Sequence, residues 1–243
     1  MNRTSVWLTL LGLATAIPSV TLAVDGVVLI NQANALAGNV TPGDSPGFPV
    51  TISVSGRYQL SSNLTVADAD TDAIDITASN VTIDLNGFSI IGPVVCSGGV
   101  QKNGPTGAPP SCIPTGGGTG VFSPNPGNAV LNGEIHGMGA FGIELGVLSR
   151  VEKVHVSGNR LDGINVREGS EVSSCVASSN GGNGIVTGTE GSIRNNSANY
   201  NASAGILAFC VSLIEGNMAG VNFGAGNIVT AGSGCVLVNN ATQ

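Results

Sequence analysis

Charged and aromatic residues are scarce in this chain of 243 residues: only 9% are charged, and Phe, Trp and Tyr together make up 4%. Lys and Arg number 8 against 15 Asp and Glu, which gives a formal net charge of −7. Because nucleic-acid phosphates are bound mainly by Lys and Arg, this deficit disfavours nucleic acid as a partner. The shortage of aromatic side chains also leaves few of the stacking platforms that are usual in tight sugar-binding sites.

The chain also lacks an apolar run long enough to span a bilayer. Its most apolar run, Val6 to Ala16, is shorter than the roughly 20 residues that a spanning helix needs. Arg3 precedes this run and Thr21-Leu22-Ala23 follows it, so residues 1–23 have the organisation of a secretory signal peptide cleaved after about Ala23. We therefore expect a secreted, periplasmic or cell-surface protein with no membrane span after cleavage.

Glycine, in contrast, is abundant, with 37 residues, and it recurs in register. Four quartets follow one another at equal spacing: Gly142-Ile143-Glu144-Leu145, Gly163-Ile164-Asn165-Val166, Gly184-Ile185-Val186-Thr187 and Gly205-Ile206-Leu207-Ala208. The same spacing, about 21 residues, relates an apolar column and an asparagine column: Val130, Val151, Val172, Ile193 and Ile214; Asn159, Asn180, Asn201 and Asn222. A constant period of about this length indicates a solenoid of stacked repeats.

Each repeat has the pattern of short strands rather than helices. Apolar and polar residues alternate from Val151 to Gly158, a turn-like segment follows, and the alternation returns at Ile164. Alternation of period two between Gly, Asn and Ser residues predicts strands with one buried face. The sequence therefore predicts an all-β protein, a parallel β-helix with coils of about 21 residues. In such a helix the asparagine column predicts a ladder of side-chain amides.

Outside the regular repeats, the chain divides into further regions. Residues 24–64 lack the 21-residue register and are expected to form an N-terminal cap and the first coil, while residues 65–243 form the β-helix. A Gly- and Pro-rich segment at about 93–120 predicts an insertion into the helix. The motif Leu-Asn-Gly begins at Leu85 before this insertion and at Leu131 after it, a spacing that we interpret as about two coils.

Five cysteines in an exported chain predict two disulfides and one free thiol. Cys96 and Cys112 bracket the insertion, so we expect their disulfide to tie its base. Cys210 and Cys235 would then pair across the last coils, although spacing alone leaves the connectivity open. Cys175 stands two positions before an inward column and is expected to be a buried small residue.

The repeats resemble those of a known family. The Gly-Ile-x-Val strands, the asparagine column and the segment Ala73 to Gly87 are similar to right-handed parallel β-helix repeat proteins of the pectin-lyase-like superfold, and Gly56 to Leu64 looks like its small exported bacterial members. The resemblance, over about 49–229, implies a right-handed parallel β-helix. It implies no single activity, because the superfold hosts lyases, hydrolases, epimerases, adhesins and tailspikes. The Asn-Thr-Asp, Asp-Asp, Gly-His-Gly and Arg-Ile-Lys strings of polygalacturonase-like enzymes do not occur.

Four polar residues near one another are candidate catalytic groups. Stacking would place Glu134 one coil from His155, with Lys153 on the same strand and Arg167 further along the same coil. A lyase or an epimerase needs a base that removes the proton beside a uronate carboxylate and a cation that neutralises this carboxylate. Lys153, His155, Glu134 and Arg167 could fill these roles. The competing interpretation is a solvated face with ion pairs.

A run of alternating carboxylates, Asp68, Asp70 and Asp72, is a candidate calcium site. Ca²⁺ takes about six to eight oxygen ligands, which such a run could supply in part. The segment lacks the Gly and the Glu that complete an EF-hand loop, so a solvated turn is the alternative. No other cofactor is indicated.

These observations favour an exported β-helix protein that binds polysaccharide outside the cell or at its surface. The first alternative is a polysaccharide lyase or uronate epimerase, which fits the candidate residues better than a hydrolase. The second alternative is a structural or adhesin scaffold that self-associates through an open end of the helix.

Overall fold

A computed structural model describes residues 26–98 and 107–243; the predicted signal peptide, residues 1–23, and the tip of the predicted insertion lie outside the described residues. Within them the chain forms short strands and one helix, α1 (Gln32–Ala37). The strands are β1 (Val27–Ile30), β2 (Val50–Ile52), β3 (Gly56–Leu60), β4 (Leu64–Thr65), β5 (Ile74–Ile76), β6 (Val81–Asp84), β7 (Ser89–Ile91), β8 (Val95–Ser97), β9 (Ser111–Ile113), β10 (Val121–Ser123), β11 (Ala129–His136), β12 (Ile143–Leu145), β13 (Arg150–Ser157), β14 (Ile164–Val166), β15 (Glu171–Ser173), β16 (Val176–Ser178), β17 (Ile185–Thr187), β18 (Ser192–Arg194), β19 (Ser197–Asn199), β20 (Ile206–Phe209), β21 (Leu213–Glu215), β22 (Met218–Gly220), β23 (Ile228–Ala231), β24 (Val236–Val238) and β25 (Ala241–Thr242).

Each coil contributes to three faces. The first face follows the order β1-β3-β6-β11-β13-β15-β18-β21-β24. The second face contains β4, β7, the second halves of β11 and β13, β16, β19, β22 and β25, and the third is the sheet β2-β5-β10-β12-β14-β17-β20-β23. In each of four successive coils, one residue has a left-handed backbone and turns the chain from the first face to the second. These residues are Asn132, Lys153, Ser174 and Asn195, all with φ near 55°. The fold is the parallel β-helix that the sequence predicts.

The strand register confirms the 21-residue period. Ala129 pairs with Arg150, Arg150 with Glu171 and Glu171 with Ser192, so that successive coils lie about 21 residues apart. Before this region the coils are irregular, because Thr82 on β6 pairs directly with Ala129 on β11. The interpretation that about two coils separate the two Leu-Asn-Gly motifs is therefore wrong, because they lie on neighbouring coils.

The interior is filled by columns of inward side chains, as the period-two alternation requires. One apolar column, none of it accessible to solvent, contains Ile83, Val130, Val151, Val172, Ile193 and Ile214. The third face adds a column that contains Leu145, Val166, Thr187 and Ala208 in successive coils. Thr187 is fully buried, and its hydroxyl oxygen has no hydrogen-bond partner among the described residues. Thr187 is the one polar side chain among these four residues; the other three are apolar.

The asparagine column forms the expected amide ladder at the corner between the second and third faces. The Nδ2 atom of Asn159 donates to Oδ1 of Asn180 over 3.0 Å. Nδ2 of Asn180 donates in the same way to Oδ1 of Asn201, and Nδ2 of Asn201 to Oδ1 of Asn222, also over 3.0 Å. A second ladder at the corner between the first and second faces joins Asn196, Asn217 and Asn240 with the same distance. Since these corners are buried, the ladders satisfy backbone and side-chain groups that water does not reach.

The two ends of the helix differ. Helix α1 lies at the N-terminal end, where the side chain of Asn31 caps it and Ala35 is completely buried. At the other end Leu237 continues the column of Ile214 but is 53% exposed. No helix in the two described ranges is long and apolar enough to cross a membrane.

Both predicted disulfides are present, and the remaining cysteine, Cys175, is free and buried. Cys96 and Cys112 join β8 to β9 in an antiparallel hairpin, and their sulfur atoms lie 3.8 and 3.7 Å from the carbonyl oxygen of Asn159. Cys210 and Cys235 join the last coils. The described part of the insertion therefore packs against the corner between the second and third faces.

Candidate functional site

A groove of about 350 Å³ opens on the outer side of the third face. Its floor is built from the third residue of successive Gly-Ile-x quartets, which must point outward because the isoleucine before it points into the core. These residues are Glu144, Asn165 and Val186, in direct register on β12, β14 and β17. The side of the groove is formed by residues at the ends of the strands or just after them, Arg167, Thr189 and Phe209 among them.

Negative charge dominates this face. Burial raises the pKa of the Glu144 carboxyl; the nearby Arg167 guanidinium opposes this rise, and the charges of Asp72 and Asp162 add to it. Burial likewise raises the pKa of Asp75, which lies on the same face two coils before Glu144. The groove thus combines one carboxyl group that holds its proton more tightly than usual, that of Glu144, with one nearby cation, Arg167.

The groove also offers apolar surface. Val186 is largely buried in its floor, whereas the Phe209 ring is 43% exposed at its side. An exposed ring in the same groove as an amide and a carboxylate is suited to a ligand with both apolar and hydroxylated surfaces, such as a sugar ring. Sequence reasoning missed this site because the quartet position that forms its floor changes from coil to coil. The quartets themselves carried the signal, since the third position varies within a fixed Gly-Ile frame and faces solvent, whereas the fourth position faces the core.

Two of the four predicted catalytic residues lie together on the second face. Glu134 and His155 are register partners on β11 and β13, and their Oε1 and Nδ1 atoms are 3.5 Å apart. The other ring nitrogen of His155, Nε2, lies 3.4 Å from the hydroxyl oxygen of Ser178 on the following coil. Sequence reasoning did not identify Ser178.

The other two predicted residues lie elsewhere. Lys153 occupies the left-handed corner between the first and second faces, and its Nζ is 3.0 Å from Oε1 of Glu152. Arg167 follows β14 and lines the groove of the third face. The structure therefore brings Glu134 and His155 together and puts Arg167 on a different sheet. The lyase or epimerase role of the four residues stays a prediction.

Two of the three predicted calcium residues, Asp70 and Asp72, hold the backbone that returns from the insertion. Asp68 accepts a hydrogen bond from the backbone N–H of Asp70 over 3.0 Å. Asp70 accepts one from Gly117 over 2.9 Å, and Asp72 one from Thr119 over 2.6 Å. In residues 26–98 and 107–243, no three Asp, Glu, His or Cys side chains are grouped as a metal site would require. The calcium site stays a prediction, while two of the carboxylates have a structural role.

No protein-family model matches the chain, and no curated protein matches it in sequence. Among solved structures, the Dettilon tailspike protein gp208 is similar with 16% identity and a TM-score of 0.45, over 79% of this chain and 52% of the tailspike chain. The chain thus spans about half the length of that tailspike. The A-module of the Azotobacter vinelandii mannuronan C-5 epimerase is similar with 13% identity and a TM-score of 0.32, over 89% of this chain and 84% of the module.

Proposed function

We propose that the protein is an exported glycan-binding protein and that the groove of the third face binds a polysaccharide. The observation that carries this proposal is the row of Glu144, Asn165 and Val186 flanked by the exposed Phe209 ring. Hydroxyl groups of a sugar can bond to the carboxylate and the amide, and its apolar side can pack on the ring. Coils stack about 4.8 Å apart, which is close to the length of one pyranose unit. In a sugar chain that follows the helix axis, each successive sugar unit would therefore contact the next residue of this row.

The charge of the groove favours a neutral polysaccharide over a polyuronate. Arg167 is near Glu144, but Asp72 and Asp162 add negative charge on the same face. A uronate carboxylate would be repelled by these groups, and the repulsion is strongest at low salt. This expectation separates the binding proposal from the lyase and epimerase alternative, which needs an acidic substrate.

Export is part of the proposal and is supported by the two disulfides. Disulfides form and persist in oxidising compartments such as the periplasm and the extracellular space. The organisation of residues 1–23 adds an independent sequence argument. Mass spectrometry of the protein recovered from an expressing bacterium tests export: we expect a chain that begins near Val24, whereas an uncleaved cytoplasmic chain would contradict it.

The binding proposal is tested with a glycan array of neutral and acidic polysaccharides, followed by calorimetry on the ligands found. We expect binding to at least one neutral glycan, weakened about tenfold by Phe209→Ala because the stacking contact is lost. Leu29→Ala is the matched control, since Leu29 is also exposed, at 48%, but lies on the first face. The absence of binding to any neutral glycan, or an equal effect of both substitutions, would show that the groove is not the binding site.

A further inference from the structure

Polar side chains on the second face are linked across four consecutive coils, from Ser89 to Ser178, and Asn199 follows in register on the next coil. The hydroxyl of Ser89 lies 3.5 Å from Oε2 of Glu134, and Oε1 of the same carboxylate lies 3.5 Å from Nδ1 of His155. Nε2 of His155 lies 3.4 Å from Oγ of Ser178, and Ser178 is the register partner of Asn199. The order is therefore carboxylate, imidazole and hydroxyl, with one ring nitrogen facing each neighbour.

This order is the arrangement that activates a serine. When Nδ1 carries the proton and donates it to Glu134, Nε2 is left as an acceptor for the Ser178 hydroxyl. The carboxylate then fixes the tautomer and stabilises the charged ring that forms when the serine proton is taken up. Distances of 3.4 and 3.5 Å are long for hydrogen bonds, but nucleophile and base are often looser without substrate and tighten in the complex.

We propose that Ser178, His155 and Glu134 form a nucleophilic triad that hydrolyses carboxylic esters. This activity is separate from glycan binding at the third face and does not depend on it. Ser178 is the nucleophile and His155 the general base and acid, while Glu134 is a positioning residue that acts through His155. His155 and Glu134 are 46% and 40% exposed, so the triad meets its substrate at an open surface. The matching substrate class is a short acyl ester displayed on a polymer or on a small alcohol.

The candidate donor for the developing oxyanion is Asn199, the register partner of Ser178 on the next coil. The amide of Asn199 is held in place because its Oδ1 accepts from the backbone N–H of Gly220 over 2.9 Å and its Nδ2 donates to Oγ of Ser197 over 2.8 Å. Nδ2 carries a second N–H, which has no acceptor among the described residues. An oriented amide of this kind can stabilise an oxyanion on the carbonyl that Ser178 attacks.

The chemistry balances within the site and water. Oγ of Ser178 bonds to the ester carbonyl carbon while its proton passes to Nε2 of His155, and the tetrahedral species then loses the alcohol, which takes this proton. The product is an acyl ester on Ser178. A water molecule, deprotonated by His155, attacks the acyl carbon and releases the carboxylic acid, after which the proton returns to Ser178.

The proposal is tested by covalent labelling with a fluorophosphonate probe and by hydrolysis of p-nitrophenyl acetate. Peptide mass spectrometry is expected to find the probe on Ser178, because an ordinary serine without a base reacts poorly. Ser178→Ala and His155→Ala should each lower the hydrolysis rate about tenfold or more. Ser157→Ala is the matched control, since Ser157 occupies the same outward column one coil earlier, and it should leave both labelling and rate unchanged.

The role of Glu134 needs a readout that a general loss of structure would not give. Glu134→Gln should lower the labelling rate at Ser178 about tenfold, and Glu134→Asp, which keeps the carboxylate, should restore part of it. Circular dichroism confirms that each variant is folded. Labelling of other residues only, or equal rates in the Ser178→Ala variant and the parent protein, would overturn the proposal. Equal labelling rates in the Glu134→Gln and Glu134→Asp variants would show that Glu134 is not part of the triad.

Discussion

Removing one rung of the first amide ladder tests how the β-helix is held together. Asn180 is fully buried, and its Oδ1 accepts from both the backbone N–H and the Nδ2 group of Asn159, over 3.1 and 3.0 Å. Its Nδ2 donates to Oδ1 of Asn201 over 3.0 Å and to the carbonyl oxygen of Val156 over 3.3 Å. In the Asn180→Ala variant all four partners lose a hydrogen bond at once.

The loss of stability comes mainly from the two N–H donors of Asn159. A buried N–H without a partner has lost its hydration and gains no hydrogen bond in return. Each such donor costs about 1–3 kcal/mol, and water that enters the space left by the side chain recovers part of this. We therefore expect the free energy of unfolding to fall by about 3 kcal/mol, a large fraction of the roughly 5–15 kcal/mol of a typical domain.

The assay is urea unfolding followed by circular dichroism, because Trp7, the one tryptophan, lies in the predicted signal peptide and gives no fluorescence signal after cleavage. The matched control is Asn165→Ala, which removes a half-buried asparagine of β14 that makes one 3.4 Å bond, to Asp162. It should cost less than about 0.5 kcal/mol. An equal loss of unfolding free energy in the two variants would refute the view that the ladder hydrogen bonds stabilise the corner. It would indicate that stacking of the apolar columns alone stabilises it.

Three further predictions concern buried or half-buried polar groups. Thr187→Val should raise the free energy of unfolding by about 1 kcal/mol in the same assay, because it removes a buried hydroxyl that has no partner in the described part of the chain; a fall in this free energy would contradict the prediction. Burial raises the pKa of Glu144 from 4.5, so its contribution to stability is present below that value and is lost as the pH rises through the folded-state pKa. Glu144→Gln should therefore increase stability at neutral pH and flatten its decline above pH 4.5. Burial also raises the pKa of the Cys175 thiol to about 11, from 9.0; stability should fall between these values, and an aromatic disulfide reagent should modify Cys175 only after unfolding.

The sequence was informative about the fold because stacking repeats the same physical requirement in every coil. Val151, Val172 and Ile193 fill equivalent places in the core, and so their spacing equals the length of a coil. The second ladder was harder to recognise because its column begins with Val154 and Cys175 before the asparagines start at Asn196. Before Ala129 the coils differ in length, and a fixed period could not show that Thr82 is its direct neighbour.

The candidate sites were less predictable because they depend on positions that the repeat leaves free. Glu134 and His155 are 21 residues apart, so the repeat period predicts that they are neighbours on successive coils, and the strand register confirms this. The contact between His155 and Ser178 does not follow this period, since it runs diagonally between two outward columns. A search along single columns cannot find such a contact. The corner at Lys153 was likewise invisible, because a left-handed residue interrupts the alternation without changing the period.

The two proposed sites lie on different sheets, and this separation has a measurable consequence. Ser178 ends β16 on the second face, whereas Phe209 ends β20 on the third, and the corner with the first amide ladder runs between these faces. Residues that share no contact partner have independent effects. A Ser178→Ala and Phe209→Ala double variant should therefore lose hydrolysis as the first single variant does and glycan affinity as the second does. A double variant that departs from this pattern would show that the faces are coupled, and the ladder residue Asn180, which is buried at the corner between them, would be the first place to look for the cause.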